Sequence, residues 1–245
     1  MNLSFLNDLS VIFFRSILMV DTRIKQSIDT WDSIAKSFHH TRQLTWDFCI
    51  KFISTINKTS ICADLGCGNG RHLIPLSRNC YQSIGFDISK NLLNITSENL
   101  RKNNIQNCSL IKGDLCSLPF QSNSIDHIIY IAALHNIRGK DNRIKSLKEI
   151  HKALKPHGTA LVSVWNKNQE RFDHIKSLTD KGSETGDILI HWRQHHLNIP
   201  RFYHLYEKNE FTQDLLDANF TINSIEKISI SKKKNNENFF AIITK

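Results

Sequence analysis

From Ser60 onward, short apolar runs alternate with amphipathic stretches. Residues 60–64 read as a short buried strand that enters a glycine-rich loop, and residues 71–79 as a helix. Residues 83–87 form the next strand, and Ser89 caps a helix running to about Asn103. Residues 108–112 are a third strand. Residues 125–131 are a fourth, apolar almost throughout, as a central parallel strand should be. Over 140–155, Ile144, Leu147, Ile150 and Leu154 recur at helical spacing with lysines on the other side. Pro156-His157-Gly158 is expected to end that helix, and 159–165 to form a fifth strand.

This order predicts an α/β fold with a parallel sheet wrapped on both faces. The end of the chain differs. Residues 210–219 read as a helix, followed by strands over 221–230 and 239–244 with a short polar turn between them. Strands joined so closely must be antiparallel. There is no internal repeat and no Pro/Gly-rich linker.

Composition adds modest constraints. The chain has 245 residues, 40% apolar and 22% charged, enough for one domain with a buried core. Its net charge of +9 fits an enzyme that meets a polyanion such as nucleic acid, and fits equally a general lysine bias. Lys232-Lys233-Lys234 in the final turn has the same two readings. Six cysteines include no CxxC pair, and His195-His196 has no evident third ligand. A reducing compartment, no disulfide framework and no metal are expected. Residues 1–20 contain an apolar run, Val11 to Val20, broken by Arg15 and Ser16. It is too short to span a bilayer and lacks a signal-peptide cleavage site. These residues are set aside as an extension of unknown role, and no membrane partner is expected.

The chemistry concentrates in Asp64-Leu65-Gly66-Cys67-Gly68-Asn69-Gly70, between a strand and a helix. Glycines let the backbone turn sharply and approach a ligand closely. The DxGxGxG spacing differs from the GxGxxG of dinucleotide folds and suits an adenosyl-amino acid packed across the loop. Asp64 can reach an ammonium group through a charge-assisted contact. Asp87 ends the second strand, where a carboxylate can accept both ribose hydroxyls. Asp114, after the third strand, can accept an adenine amino group. Each aspartate alone reads equally well as a cap or turn residue. Together, at neighbouring strand tips, they point to S-adenosylmethionine. The expected cofactor contacts are Asp64, Gly66, Cys67, Gly68, Gly70, Asp87, Ile88, Asp114, Leu115 and Ala132.

These features resemble the class I methyltransferases over residues 29–245. The resemblance implies a Rossmann-like seven-stranded methyltransferase sheet, mostly parallel with a C-terminal antiparallel hairpin, in a domain covering 21–245. A narrower likeness is to the tRNA wobble-uridine carboxymethyl methyltransferases. Trp31-Asp32-Ser33-Ile34-Ala35 with Phe38 and Thr41-Arg42 is similar to that family's N-terminal helix. Ala132-Ala133-Leu134-His135-Asn136 resembles its short His-containing segment, and 161–165 its fifth strand ending in tryptophan. Gly186 to Trp192, followed by Arg201-Phe202-Tyr203-His204-Leu205-Tyr206, carries the most specific likeness. Three departures stand out: His157 in place of a glycine, Asn136 where a second histidine is common, and His191 in place of a proline.

The resemblance implies methyl esterification of a carboxymethyl group on the wobble uridine of a tRNA anticodon loop. A carboxylate is already ionised at neutral pH, so no general base is needed, and no Ser/His/Asp or Cys/His arrangement is evident. Charge is partly neutralised in the transition state, so exclusion of water helps. The oxygen must then be held in line with the methyl carbon, about 3 Å away. Arginine's planar fork suits a carboxylate, and Arg42 and Arg201 are the candidates. Each could instead be a brace or a surface ion-pair partner. His135 could hydrogen-bond the uracil or the carboxylate, or be a core histidine satisfied by backbone. Tyr203 and His204 could hold a flipped base and Trp165 stack on it, with plain core packing the alternative. The family likeness also implies a small zinc-binding activator protein along the sheet edge near residues 108–112, and a cytoplasmic location. Two other readings stay open: a methyltransferase for a small quinone precursor or carboxylic acid, and a non-catalytic cofactor-binding subunit.

Overall fold

Burial along the fourth expected strand alternates between two cores. Ile128 and Tyr130 face one cluster and Ile129 and Ile131 the other, so both faces of the sheet are covered. The computed structural model describes residues 4–180, 182–229 and 237–245, with side chains from Thr22 onward. In chain order the elements are α1 (Ser4–Thr41), α2 (Asp47–Ser54), β1 (Ile61–Leu65), α3 (Leu73–Arg78), β2 (Gln82–Asp87), α4 (Lys90–Lys102), β3 (Cys108–Lys112), β4 (Ile125–Ile131), α5 (Lys140–Ala153), β5 (Leu154–Trp165), β6 (Asp187–Trp192), β7 (Ile199–His204), α6 (Lys208–Asp217), β8 (Thr221–Ser229) and β9 (Glu237–Thr244).

The main sheet has seven strands in the order β3-β2-β1-β4-β5-β9-β8. The first five pair in parallel, and β9 runs antiparallel to both β5 and β8. This is the Rossmann-like methyltransferase sheet. Strand order reverses between β1 and β4, so the crevice for a ligand lies beyond the carboxyl ends of the central strands. Strand β3 forms one edge.

Ser89 caps α4 as expected, its side chain accepting from the Leu92 N–H at 3.0 Å. The end of α5 differs from expectation. The helix stops at Ala153, and Leu154 already pairs with Ile125. Pro156-His157-Gly158 therefore lies within β5, beside an irregularity between the Ile125 and His127 pairings. Proline disfavours helical backbone at the residue before it, which drives Lys155 into the extended region and moves the helix end upstream.

Three elements were not foreseen as such. Helix α2 follows α1, and β6 and β7 pair as a separate antiparallel ribbon, Asp187 opposite His204 and Trp192 opposite Ile199. Helix α1 passes residue 20 without a break. The side chains of the extension expected at 1–20, and Lys232-Lys233-Lys234, lie outside the described residues. Among the described residues, no helix is long and apolar enough to cross a membrane. All six thiols are free.

Candidate functional site

A cavity of about 750 Å³ opens at the carboxyl ends of β1, β2 and β4. Helix α1 forms one wall. Arg23, Ser27, Thr30, Trp31, Phe38 and Arg42 line it, a set that follows helical spacing along one face. The helix is pinned over the sheet by polar contacts. Arg23 pairs with Asp114 at 2.8 Å, Asp32 accepts from the Ser89 hydroxyl at 2.5 Å, and the Arg42 carbonyl accepts from Asn69 Nδ2 at 2.8 Å.

The glycine loop forms the floor. Gly66, Cys67 and Gly68 line the cavity. Gly66 has φ of +70°, and a Cβ there would lie 2.6 Å from that of Ala133, so the loop needs a bare backbone on both counts. Gly70 stands behind the lining, where a Cβ would lie 2.8 Å from Thr96 Cγ2. Asp87 lines the cavity with Ile88. Its Oδ2 accepts from the Gly68 N–H at 2.8 Å and its Oδ1 from the Ser89 N–H at 2.9 Å. Burial pushes its carboxyl up to about 6 despite these donors.

Asp64 sits just beneath the lining residues, fully buried, and its Oδ2 has no described partner. Burial, reinforced by the Asp87 charge and opposed by Arg71, raises it to about 8. Asp114 and Leu115 line the cavity. Both Asp114 oxygens are already engaged, one by Arg23 and one by the Cys116 N–H at 3.2 Å. Ala132 also lines it, held at φ +54° with its N–H bonded to Ser163. A left-handed alanine at a strand tip is a strained position of the kind found beside ligands.

Another part of the cavity lining is cationic and aromatic. Arg42 and Arg201 both lie over the Trp192 ring, at 5.3 and 4.7 Å. Arg201 also donates to the Tyr203 hydroxyl, and its Nε has no described partner. Burial lowers the Arg201 guanidinium, with Tyr203 opposing the shift. His135 is fully buried; its Nδ1 accepts the Trp165 N–H at 3.1 Å, and its Nε2 has no described partner. Burial, with the nearby arginines, drops its pKa to about 3. The ring is therefore neutral and carries its proton on Nε2.

His204 is not brought to this cavity. Strand alternation turns it away from Tyr203, and its ring bonds Asp187 at 2.7 Å and Glu210 at 2.8 Å. Arg143 reaches into the same buried network, 2.8 Å from Glu184 and 3.7 Å from Glu210. Glu184, His204 and Glu210 converge closely enough for a metal, but this guanidinium already occupies their charge. Trp165, half-buried at the cavity edge, is stacked on Tyr203 at 4.3 Å and on Phe172 at 5.6 Å. Asn136 bonds the Ala132 carbonyl at 2.9 Å. His195 bonds Ser37 at 2.7 Å.

Two cavity arginines carried no sequence signal. Arg171 lies over Trp165 at 4.4 Å, and Arg138 over Phe202 at 4.5 Å. Arg171 sits in a single helical turn and Arg138 just after another, and neither position carries a signal of its own.

A family model described as a methyltransferase domain matches residues 63–162, from β1 into β5. Relatives of the domain agree. A mouse (Mus musculus) tRNA (carboxymethyluridine(34)-5-O)-methyltransferase is 34% identical over 158 residues, 64% of this chain and 22% of that protein. The protein of the same description from Schizosaccharomyces pombe is 27% identical over 203 residues, 75% of this chain and 83% of that one. The chain spans only 22–32% of the length of several curated relatives it matches. Among solved structures, one from the complex of the Haloferax volcanii Trm112 methyltransferase activator with a methyltransferase superposes with a TM-score of 0.64. It is 18% identical, covers 87% of this chain and 96% of its own, and shares the fold of the methyltransferase domain.

Proposed function

We propose that this chain is an S-adenosylmethionine-dependent methyltransferase that esterifies the carboxylate of 5-carboxymethyluridine at the wobble position of tRNA, in the cytoplasm. The residues fit the cofactor. Asp64 Oδ2 is a buried orphan acceptor suited to an ammonium, and the Gly66 cradle would be filled by any Cβ. Asp87, fixed by the Gly68 and Ser89 N–H groups, offers its carboxylate to ribose hydroxyls. When bound, the cofactor supplies an electrophilic methyl group.

One observation carries the substrate reading. Arg42, Arg201 and the unpartnered His135 Nε2–H share a cavity with the glycine loop, and no described ion pair neutralises either arginine. Such a donor set fits an ionised carboxylate. Arg201, braced by Tyr203 and Trp192, orients the carboxylate; His135 donates to it without competing for a proton. The flexible chain of the substrate is thereby held for in-line approach, and α1 excludes water from the path. The names of the relatives supply the nucleoside.

Strand β3 at the sheet edge offers unpaired backbone to a partner strand, which fits an activator protein like that in the Haloferax complex. The test is direct. Purified chain, alone and with such an activator, is incubated with methyl-labelled cofactor and tRNA lacking the terminal ester. Label in tRNA that alkali releases supports the reading; label only in small metabolites, or in alkali-stable positions, overturns it.

A further inference from the structure

The cavity holds more cations than one carboxylate requires. Beyond Arg42 and Arg201 it is lined by Arg171 and Arg138, and none of the four takes part in a described ion pair. The only acids among its described lining residues are Asp87 and Asp114, at the strand tips on the glycine-loop side.

The four differ in depth and in attachment. Arg201 is buried, 8% exposed, beside the His135 donor at the inner end. Arg171 is exposed and Arg138 half-buried, at the rim. Arg171 comes from the single turn of helix at Glu170–Phe172 and rests on both Trp165 and Phe172, at 4.4 and 4.5 Å. Arg138 follows the turn at Leu134–Asn136 and rests on Phe202. A guanidinium lying over an aromatic ring has its plane fixed while its N–H edges stay free for a bidentate acceptor. Partial loss of water and the repulsion of Arg42 and Arg201 lower Arg171 to about 10, so its neighbourhood favours an added anion.

A free carboxylic acid would satisfy the inner end and leave the rim cations unused. A nucleotide inside an RNA strand brings a phosphodiester on each side of its sugar, and these are anions that the rim cations complement. Resting on the carboxymethyluridine reading above, we propose that Arg171 and Arg138 form a phosphodiester subsite that grips the backbone flanking the inserted uridine. The site thereby selects a nucleotide within a strand over the free nucleoside or a small acid.

A binding cycle tests this independently of turnover. The ligands are an anticodon stem-loop with an unmodified uridine and the same RNA with neutral methylphosphonate linkages flanking that uridine. Wild-type protein should bind the neutral-linkage RNA about tenfold more weakly. Arg171→Gln should bind the native RNA about tenfold more weakly and distinguish the two RNAs less than wild type does, Arg138 retaining the rest, so the losses are not additive. Its salt dependence should flatten by about one counterion. Cofactor affinity serves as the check on folding; if Arg171→Gln fails it, Arg138→Gln runs the same cycle. Additive losses, or equal binding of both RNAs by wild type, overturn the subsite. Non-additive losses in a protein that transfers no methyl group to tRNA would uphold it and sink the catalytic reading instead.

Discussion

The backbone N–H of Trp165 donates to Nδ1 of His135 at 3.1 Å, and this one contact fixes how the histidine can act. With Nδ1 an acceptor, the proton sits on Nε2, which has no described partner, in a residue that lines the cavity together with the arginines. The ring is a neutral donor and holds no charge to give up.

His135→Ala should therefore lower kcat on tRNA by about 10- to 100-fold, the scale of one hydrogen bond to a charged group. Cofactor affinity by calorimetry should hardly change. Because burial holds this imidazole near 3, the wild-type rate should show no inflection from it above pH 5. A full-activity variant would return the residue to the core.

Asp64 gives a proton-release prediction. With its carboxyl near 8, it is mostly protonated in the unliganded protein at pH 7. A bound ammonium favours the ionised form, so cofactor binding should release about one proton at that pH. Titration calorimetry in buffers of different ionisation enthalpy measures it; enthalpies that do not depend on buffer would place the ammonium elsewhere. The sign for stability runs the same way. The native state holds a proton that the unfolded chain has lost, so unliganded stability should fall as pH rises from about 5 to 8.

Asp87 titrates lower, near 6, raised by burial against its three backbone donors. Ribose hydroxyls donate to the ionised carboxylate, so cofactor affinity should weaken as pH drops below about 6. Asp87→Ala should abolish measurable binding and lower stability by about 1–3 kcal/mol, since it strands the Gly68 and Ser89 N–H groups. Unchanged affinity would remove the ribose contact from the account.

Arg201→Ala should cut turnover and leave cofactor affinity intact, because the side chain's described contacts are with Trp192 and Tyr203 and none is with the glycine loop or Asp87. Arg201→Lys should rescue little: a lysine keeps charge but cannot reproduce the fork that reaches Tyr203 while stacking on Trp192. Steady-state kinetics on tRNA decide it. A lysine variant at wild-type rate would mean that charge alone suffices.

Much of the sheet was legible because its signals are local. Alternating apolar runs, Ser89 as a cap and three glycines after a strand each act within a few residues. The wall made by α1 was not, since Arg23 meets Asp114 across 91 positions and nothing local announces that pairing. Strands β6 and β7 passed as a motif and were not read as strands. Their turn, 193–198, contains no glycine, and each strand is short enough to suit several conformations. His204 was grouped with Tyr203 because they are neighbours in sequence, yet the two-residue period of a strand sends adjacent side chains to opposite faces. Arg171 and Arg138 acquire meaning only from the rings they rest on, Trp165 and Phe202, which come from other elements.

The central claim is that one cavity presents a methyl donor to a carboxylate on tRNA. Mass spectrometry of nucleosides from treated tRNA tests it most directly. Carboxymethyluridine should be consumed and reappear one methyl heavier with wild-type protein, and persist with Arg201→Ala. Persistence with the active, activator-bound wild type, or a methyl found on any other nucleoside, would contradict the account.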